Sequence, residues 1–224
     1  GSKSIKDKNL LKINEINLIQ YAIIFAKECG FFDKIIVTTD SSKYKKIAIE
    51  CGAEVPFLRP KKISTDKSKD IEFVHHCLKF LKKTESYTPD YIVHLRPTTP
   101  LRRIKDLKKA LNIINKNKNI DSVKTISETN HSVFKMWFLN HKKLIFPVTN
   151  KKTLYSESYN ASRQSLPRSY VQTALFDIYR VKSISKNLLS GKKIYGFLTD
   201  EYIDIDSNSD FINLKIYHCL SLKN

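Results

Sequence analysis

The chain has 224 residues, enough for one domain with a sizeable core, and its 40 basic against 22 acidic residues give a net charge of +18. No apolar run reaches the roughly eighteen residues that a membrane-crossing helix needs, and no secretory leader pattern opens the sequence. Cys29, Cys51, Cys77 and Cys219 lie far apart without a C-x-x-C pair, which argues against a disulfide framework or a zinc site and fits reduced thiols in a cytoplasmic protein.

From the start, residues 1–9 (GSKSIKDKN) combine small residues, which let a backbone approach phosphate closely, with Lys3, Lys6 and Lys8. The P-loop pattern G-x-x-x-x-G-K-[ST] is absent. Helical spacing of Ile19, Ala22, Ile23 and Ala26 predicts a helix from Leu18 to Cys29, stopped by Gly30. Lys34–Thr39 (KIIVTT) reads as a buried strand ending at Asp40. Ser42 is placed to cap a helix to Cys51, stopped by Gly52, and Val55–Leu58 reads as a short strand. Ile71, Val74, Leu78 and Leu81 mark a further amphipathic helix, with Asp70 near its start. Then come a strand at Tyr91–Leu95, a helix over Lys105–Asn117 and a strand at Ser122–Ile126.

The pattern breaks at residues 127–169, which are irregular, polar and aromatic, with Met136, Trp137, Phe138 and Phe146 as apolar anchors. Alternation resumes with Ala174–Arg180, a helix near Ser183–Leu189, a strand at Lys193–Leu198, the segment Tyr202–Asp206 and a terminal helix from about Asp210 to Leu222. Strands alternating with helices predict an α/β domain, a mostly parallel sheet with helices on both faces. Residues 1–126 and 170–224 are expected to form it, and 127–169 an insertion.

The positive charge is spread along the chain and accompanied by no aromatic-rich RNA-binding signature or zinc finger, so a nucleic-acid partner is not expected; nor is a membrane. Arginine is scarce, seven residues in all, and six of them fall in the segments FLRP, HLRPTTPLRR and RQSLPR. Its planar fork binds phosphate or carboxylate in two places, so the clustering points to anion recognition, against a null of chance and structural ion pairs. HLRPTTPLRR follows a strand, where open α/β sheets bind ligands, and Pro97 and Pro100 stiffen it so that Arg96, Thr98 and Thr99 are presented in a fixed shape. In YIDID, residues 202–206, strand alternation would project Asp204 and Asp206 to one side. Paired acids suit hard Mg²⁺ shared with substrate phosphates. The six histidines form no H-E-x-x-H or Ser-His-Asp arrangement; His75 and His76 are helix neighbours, and His94 sits within a strand.

GSK-x-x-x-x-KN, IIVTTD, AEVPFLRP followed by STD, LRPTTPLR, RQSLP and IDID occur in one order over essentially the whole chain. In that ordered set the chain resembles the N-acylneuraminate cytidylyltransferase (CMP-sialic acid synthetase) family. The resemblance implies a Rossmann-like, GT-A-like nucleotidyltransferase fold with a dimerisation extension. It also implies a reaction of CTP with an acidic α-keto sugar to give CMP-sugar and pyrophosphate, with Mg²⁺, for surface glycan synthesis. Ser2, Lys3, Lys8 and Asn9 match the loop that grips CTP phosphates, and Arg59 the cytidine-side arginine. Asp70 stands where relatives often carry serine near the nucleotide. Arg96 replaces a glutamine that touches the sugar, which points to a different acidic sugar, and Thr98 and Gln172 fall on the same sugar side. Thr173 and Ala174 replace the family's Asn-Gly pair. Arg163 matches a basic residue that reaches a neighbouring subunit's site. Asp204 and Asp206 match the metal aspartates, with Lys8 and Asp206 in catalytic roles. The family also begins with an apolar strand and an arginine ahead of Gly-Ser-Lys; the sequence starts past both. The alternatives are a related enzyme for Kdo, legionaminic or pseudaminic acid, and a non-catalytic nucleotide-binding homologue.

Overall fold

A computed structural model describes residues 5–149, 157–200 and 202–221, with side chains of the last helix described up to residue 217. In chain order it contains a short antiparallel pair, β1 (Lys12–Ile13) and β2 (Ile16–Asn17), then α1 (Leu18–Cys29), α2 (Ser42–Glu50), α3 (Asp70–Glu85), β3 (Tyr91–His94), α4 (Ile104–Lys116) and β4 (Ser122–Glu128). A hairpin of β5 (Trp137–Leu139) and β6 (Ile145–Pro147) follows, then β7 (Tyr170–Arg180), β8 (Ile194–Leu198) and α5 (Asn208–Ser221).

The helices form where period and caps agree. Asn17 caps α1 by accepting from the Gln20 backbone N–H, while the Gln20 side chain accepts from Asn17, and Gly30 ends the helix in the left-handed conformation at φ 68°. α1 supplies residues to three apolar clusters. Phe25 and Cys29 join Leu107, Ile114, Val123, Phe176 and Ile178. Leu18 joins Ile5, Ile13, Ile205 and Leu214, and Ile19 and Ile23 join Ala48, Ala53 and Val55.

The main sheet has the order β3-β7-β4-β8, with β7 antiparallel to β3 and β4, and β8 parallel to β4. Three strands therefore share a direction and β7 opposes them: the sheet of this α/β fold is mixed. Several local expectations are corrected. KIIVTT is extended but carries one parallel bridge, Ile36 with Glu54, and Val55–Leu58 forms no strand; an apolar β-branched run needs a ladder neighbour to become a strand, and among the described residues its backbone finds only that bridge and one bond from Arg59 N–H to Thr39 O (2.7 Å). The cap of α2 is Ser41, whose Oγ accepts from Tyr44 N–H, so the cap lies one residue before the predicted one and Ser42 is the first helical residue. No α-helix forms at 183–189. Ser183 instead donates to Asp121 Oδ1 (2.7 Å), and Asp121 Oδ2 accepts from the backbone of Lys192 and Lys193. Tyr202–Asp206 runs extended outside any ladder, held by the Ile205 N–H on Thr98 O (3.0 Å).

β7 contains an irregularity the sequence did not announce. Lys124 pairs with Asp177 but Ile126 pairs with Gln172, so an advance of two positions along β4 is matched by five along β7. Ala174, at φ 54°, takes the left-handed turn that accommodates the surplus. The carbonyls turned out of the ladder are met from the segment after β3: Thr99 Oγ1 donates to Ala174 O (2.8 Å) and Arg102 Nε to Leu175 O. A side chain in the left-handed region costs about 1–2 kcal/mol, which glycine avoids. Ala174→Gly is therefore expected to raise stability by about 1 kcal/mol, read as a higher denaturation midpoint; a fall would show that the Ala174 methyl packs with more benefit than its backbone strain costs.

Candidate active site

Lys8 lies on a single 3₁₀ turn, Lys8–Leu10, entered through Asp7 at φ 53°. Its side chain is only 12% exposed and its Nζ donates to Asp206 Oδ1 at 2.8 Å, joining the beginning of the chain to its end. Asp206 is fixed by its backbone: its N–H and that of Ser207 donate to Asp210 Oδ2, the acid in the first turn of α5. Asp204 is half-buried next to it, and its Oδ1 is buried without a hydrogen-bond partner. Burial pushes the Asp204 carboxyl up from the usual range; Thr98 pulls it down, the Asp206 charge raises it again, and Lys8 and Arg96 oppose. An orphaned buried carboxylate oxygen beside an exposed carboxylate is the donor set a hard divalent cation satisfies, so these residues fit a Mg²⁺ ion.

A second cleft, of about 120 Å³, is lined by Arg59, Ile63, Ser64, Thr65, Ser68, Asp70 and Phe73. Arg59 Nε donates to Ser64 Oγ (3.1 Å), and its guanidinium lies 5.5 Å from the Phe73 ring centroid. An aromatic face, hydroxyls and one guanidinium suit a planar polar heterocycle.

Asp70 also faces the other way. Its Oδ2 accepts from Arg96 Nη2 at 2.6 Å, while Arg96 Nη1 donates to Asp177 Oδ2 at 2.8 Å. Both arms of the Arg96 fork are thus engaged by carboxylates. Asp177 also accepts from Tyr179 Oη (3.0 Å) and Gln172 Nε2 (3.4 Å to either oxygen), and Lys124 Nζ lies 3.7 Å away. His94, on β3 below this group, stacks edge-on against Phe73; its Nδ1 is 3.8 Å from Asp70 Oδ2, too far to hydrogen-bond. Burial, then the Arg96 charge, lowers its pKa from 6.5 to about 4, which leaves the ring neutral at pH 7.

The loop carrying Arg96 and Thr98 is anchored from inside. Arg102 donates to the carbonyls of Arg96 and Leu175 and to Thr99 Oγ1, and the Thr98 carbonyl receives the Ile205 N–H. The structure thus brings Lys8, Arg96, Thr98, Gln172, Asp204 and Asp206 onto connected elements and puts Arg59 and Asp70 in the adjoining cleft. Asn9 is half-buried beside Lys8. Arg163 is elsewhere: it donates to Asn130 Oδ1 (2.9 Å) and lines a different cleft, of about 260 Å³, with His131, Lys135 and Met136. Ser2 and Lys3 lie outside the described residues. The sequence reading passed over Asp177, Lys124 and Tyr179; the signal was a lone acid in the apolar run LFDIY, since a buried carboxylate requires partners.

The chain matches the Cytidylyltransferase family over residues 1–213. It is 31% identical to a CMP-N,N'-diacetyllegionaminic acid synthase of Campylobacter jejuni, covering all of this chain and 92% of that protein. It is 28% identical to an N-acylneuraminate cytidylyltransferase of Escherichia coli over 94% of this chain, which spans about half, 48%, of that protein's length. In fold it is similar to a CMP:2-keto-3-deoxy-manno-octonic acid synthetase solved with CTP, at a TM-score of 0.67 and 14% identity, covering 99% of this chain and 95% of the other.

The neutral His94 makes stability pH-dependent. Its folded pKa of about 4 lies below the ordinary 6.5, so between these values the unfolded chain takes up a proton that the folded one refuses. The corresponding stability is present above pH 6.5 and is lost as pH falls toward 4. The melting temperature of His94→Gln is expected to fall less steeply than that of the parent over this window in pH-stepped thermal denaturation; parallel curves would contradict the assignment.

Proposed function

Because this chain belongs to the cytidylyltransferase family of nucleotidyltransferases, we propose that it activates an acidic α-keto sugar of the nonulosonate type, N-acylneuraminate or a close relative, by transferring CMP from CTP. The anomeric hydroxyl of the sugar attacks the α-phosphorus in line, a new P–O bond forms, the bond to the β-phosphate oxygen breaks, and pyrophosphate leaves as the hydroxyl proton is lost. Such a transfer needs positioning and charge neutralisation more than covalent chemistry by the protein. The observation that carries this reading is the meeting of Lys8 with Asp206, beside Asp204 with its unpartnered buried oxygen.

In this reading Lys8, with Ser2, Lys3 and Asn9 around it, offsets charge on the triphosphate. Arg59, Asp70 and Phe73 hold the cytosine side, and Asp204 and Asp206 would hold Mg²⁺. When bound, the metal supplies Lewis-acid stabilisation of the phosphates. Arg96, Thr98 and Gln172 face the sugar. Residues 1–126 and 170–224 act as the nucleotide-binding unit and 127–169 as a dimerisation extension, through which Arg163 reaches the second subunit's site. The exposed apolar side chains of its hairpin, Phe138 (62% exposed), Leu139 (68%), Ile145 (54%) and Phe146 (50%), support a homodimer contact there. The reduced cysteines and the use of CTP are in keeping with a cytoplasmic setting. Among the described residues no helix is long and apolar enough to cross a membrane.

A second reading, a legionaminate-type acid as the sugar, is favoured by Arg96 in place of glutamine, by Thr173-Ala174 in place of Asn-Gly, and by the legionaminate relative's 31% identity. A panel of sugar acids assayed with CTP and Mg²⁺ for pyrophosphate release separates the two; release with none of them would overturn the enzyme reading. Asp206→Asn is expected to lower turnover about 10³-fold. Its 77% exposed side chain should leave the melting temperature unchanged; near-normal product formation by this variant would defeat the metal assignment. Phe138→Asp combined with Leu139→Asp is expected to shift the sedimenting species from dimer to monomer, and an unchanged mass would remove the hairpin from the interface.

A further inference from the structure

Asp177 is 0% exposed, and nothing in the proposed chemistry uses it. A carboxylate taken wholly out of water persists only when paired, and the partners it has chosen are informative. Arg96 and Lys124 keep 25% and 23% of their side chains exposed, so each touches solvent at one side and Asp177 at the other. Tyr179, also buried, fills a further acceptor position on Asp177 from the same strand. Gln172 joins only because of the β7 irregularity. At a spacing of five, residues 172 and 177 of a regular strand would face opposite sides; the surplus residues around Ala174 bring them to one side.

We propose that Asp177 is a positioning residue for the sugar side, an inner anchor that presets the Arg96 guanidinium through its shortest contact, 2.8 Å, with Lys124 and Gln172 at 3.7 and 3.4 Å as minor partners of the same carboxylate. The proposal rests on the reading of an acidic sugar as second substrate. Arg96 has a rigid planar fork, and two carboxylates fix its plane as well as its position: Asp177 on one arm, Asp70 on the other. The plane of its remaining N–H donors is then set before any substrate arrives, which removes an ordering cost from binding. Asp70 lines the nucleotide cleft with Arg59, so the same guanidinium ties the sugar-side group to the wall of that cleft.

The test is a double-mutant cycle of Asp177→Asn, Arg96→Gln and their combination, with the sugar acid that the parent turns over fastest in the panel. KM for the sugar, KM for CTP, kcat and calorimetric CTP affinity are measured for each. Asp177→Asn is expected to raise the sugar KM about tenfold, the worth of one charge-assisted hydrogen bond. The effect should fall on the sugar KM more than on kcat or CTP affinity. Once Arg96 is already Gln, Asp177→Asn should add little, because Asp177 acts through that guanidinium. Multiplicative effects, an unchanged sugar KM, or an equal loss in CTP affinity would overturn the proposal and leave Asp177 a structural residue. Should Asp177→Asn fail to fold, the combined variant, which removes acid and cation together, carries the test: its sugar KM must match that of Arg96→Gln, and a clear difference sinks the idea. A parent protein inert toward every sugar acid would instead sink the functional reading on which this inference stands.

Discussion

A buried cation that meets carbonyls, and among the described residues no carboxylate, organises the centre of this molecule. Arg102 donates to the carbonyls of Arg96 and Leu175, and burial, then the neighbouring Arg96 charge, pulls its pKa down. Those carbonyls are the ones that the end of β3 and the irregular turn of β7 leave outside the sheet ladder, so the two needs answer each other. Everything at the site is referenced to this staple. It fixes the loop that presents Arg96 and Thr98; the Thr98 carbonyl takes the Ile205 N–H; and Ile205, fully buried, sets Asp204 and Asp206 on either side of itself. Lys8 is reached last, through Asp206.

The α-helices that form were legible in the sequence because their signals are local, whereas the helix expected near Ser183–Leu189 gave way to the contacts of Ser183, Lys192 and Lys193 with Asp121. The period of Leu18 to Cys29 and its Gly30 stop are written within thirteen positions, and the Asn17 cap that the reading passed over lies directly before them. The strand signals were only half local. KIIVTT has every mark of a buried strand, but a strand is completed by a neighbour, and among the described residues its backbone makes only the single bridge to Glu54 and one bond from Arg59 N–H to Thr39 O. YIDID shows the same limit with a better outcome. It joins no ladder, yet one bond to Thr98 and the burial of Ile205 still set the two acids next to Lys8. The β7 turn was illegible, since Ala174 carries no mark of a left-handed residue and its cause lies in Thr99 and Arg102, more than seventy positions away.

The electrostatics work at two ranges. The net charge of +18 is a diffuse field that raises the local concentration of polyanions and is screened within about 10 Å in physiological salt. Close to the site the charges are matched. Lys8 opposes Asp206, and Arg96 and Lys124 oppose Asp70 and Asp177. Attraction over distance and selectivity at contact are thus carried by different residues, and neutralising a surface lysine far from the site affects the first without touching the second.

α1 gives apolar side chains to all three clusters: Leu18 and, further along the same face, Phe25 and Cys29 serve two of them, and Ile19 and Ile23 on a neighbouring face serve the third. Unseating the rod removes packing from all three clusters together, because Leu18, Ile19, Ile23, Phe25 and Cys29 leave in one movement. The molecule is therefore wired to melt as a single cooperative unit, with the lysine turn at one end of the chain and the acids at the other released in the same event.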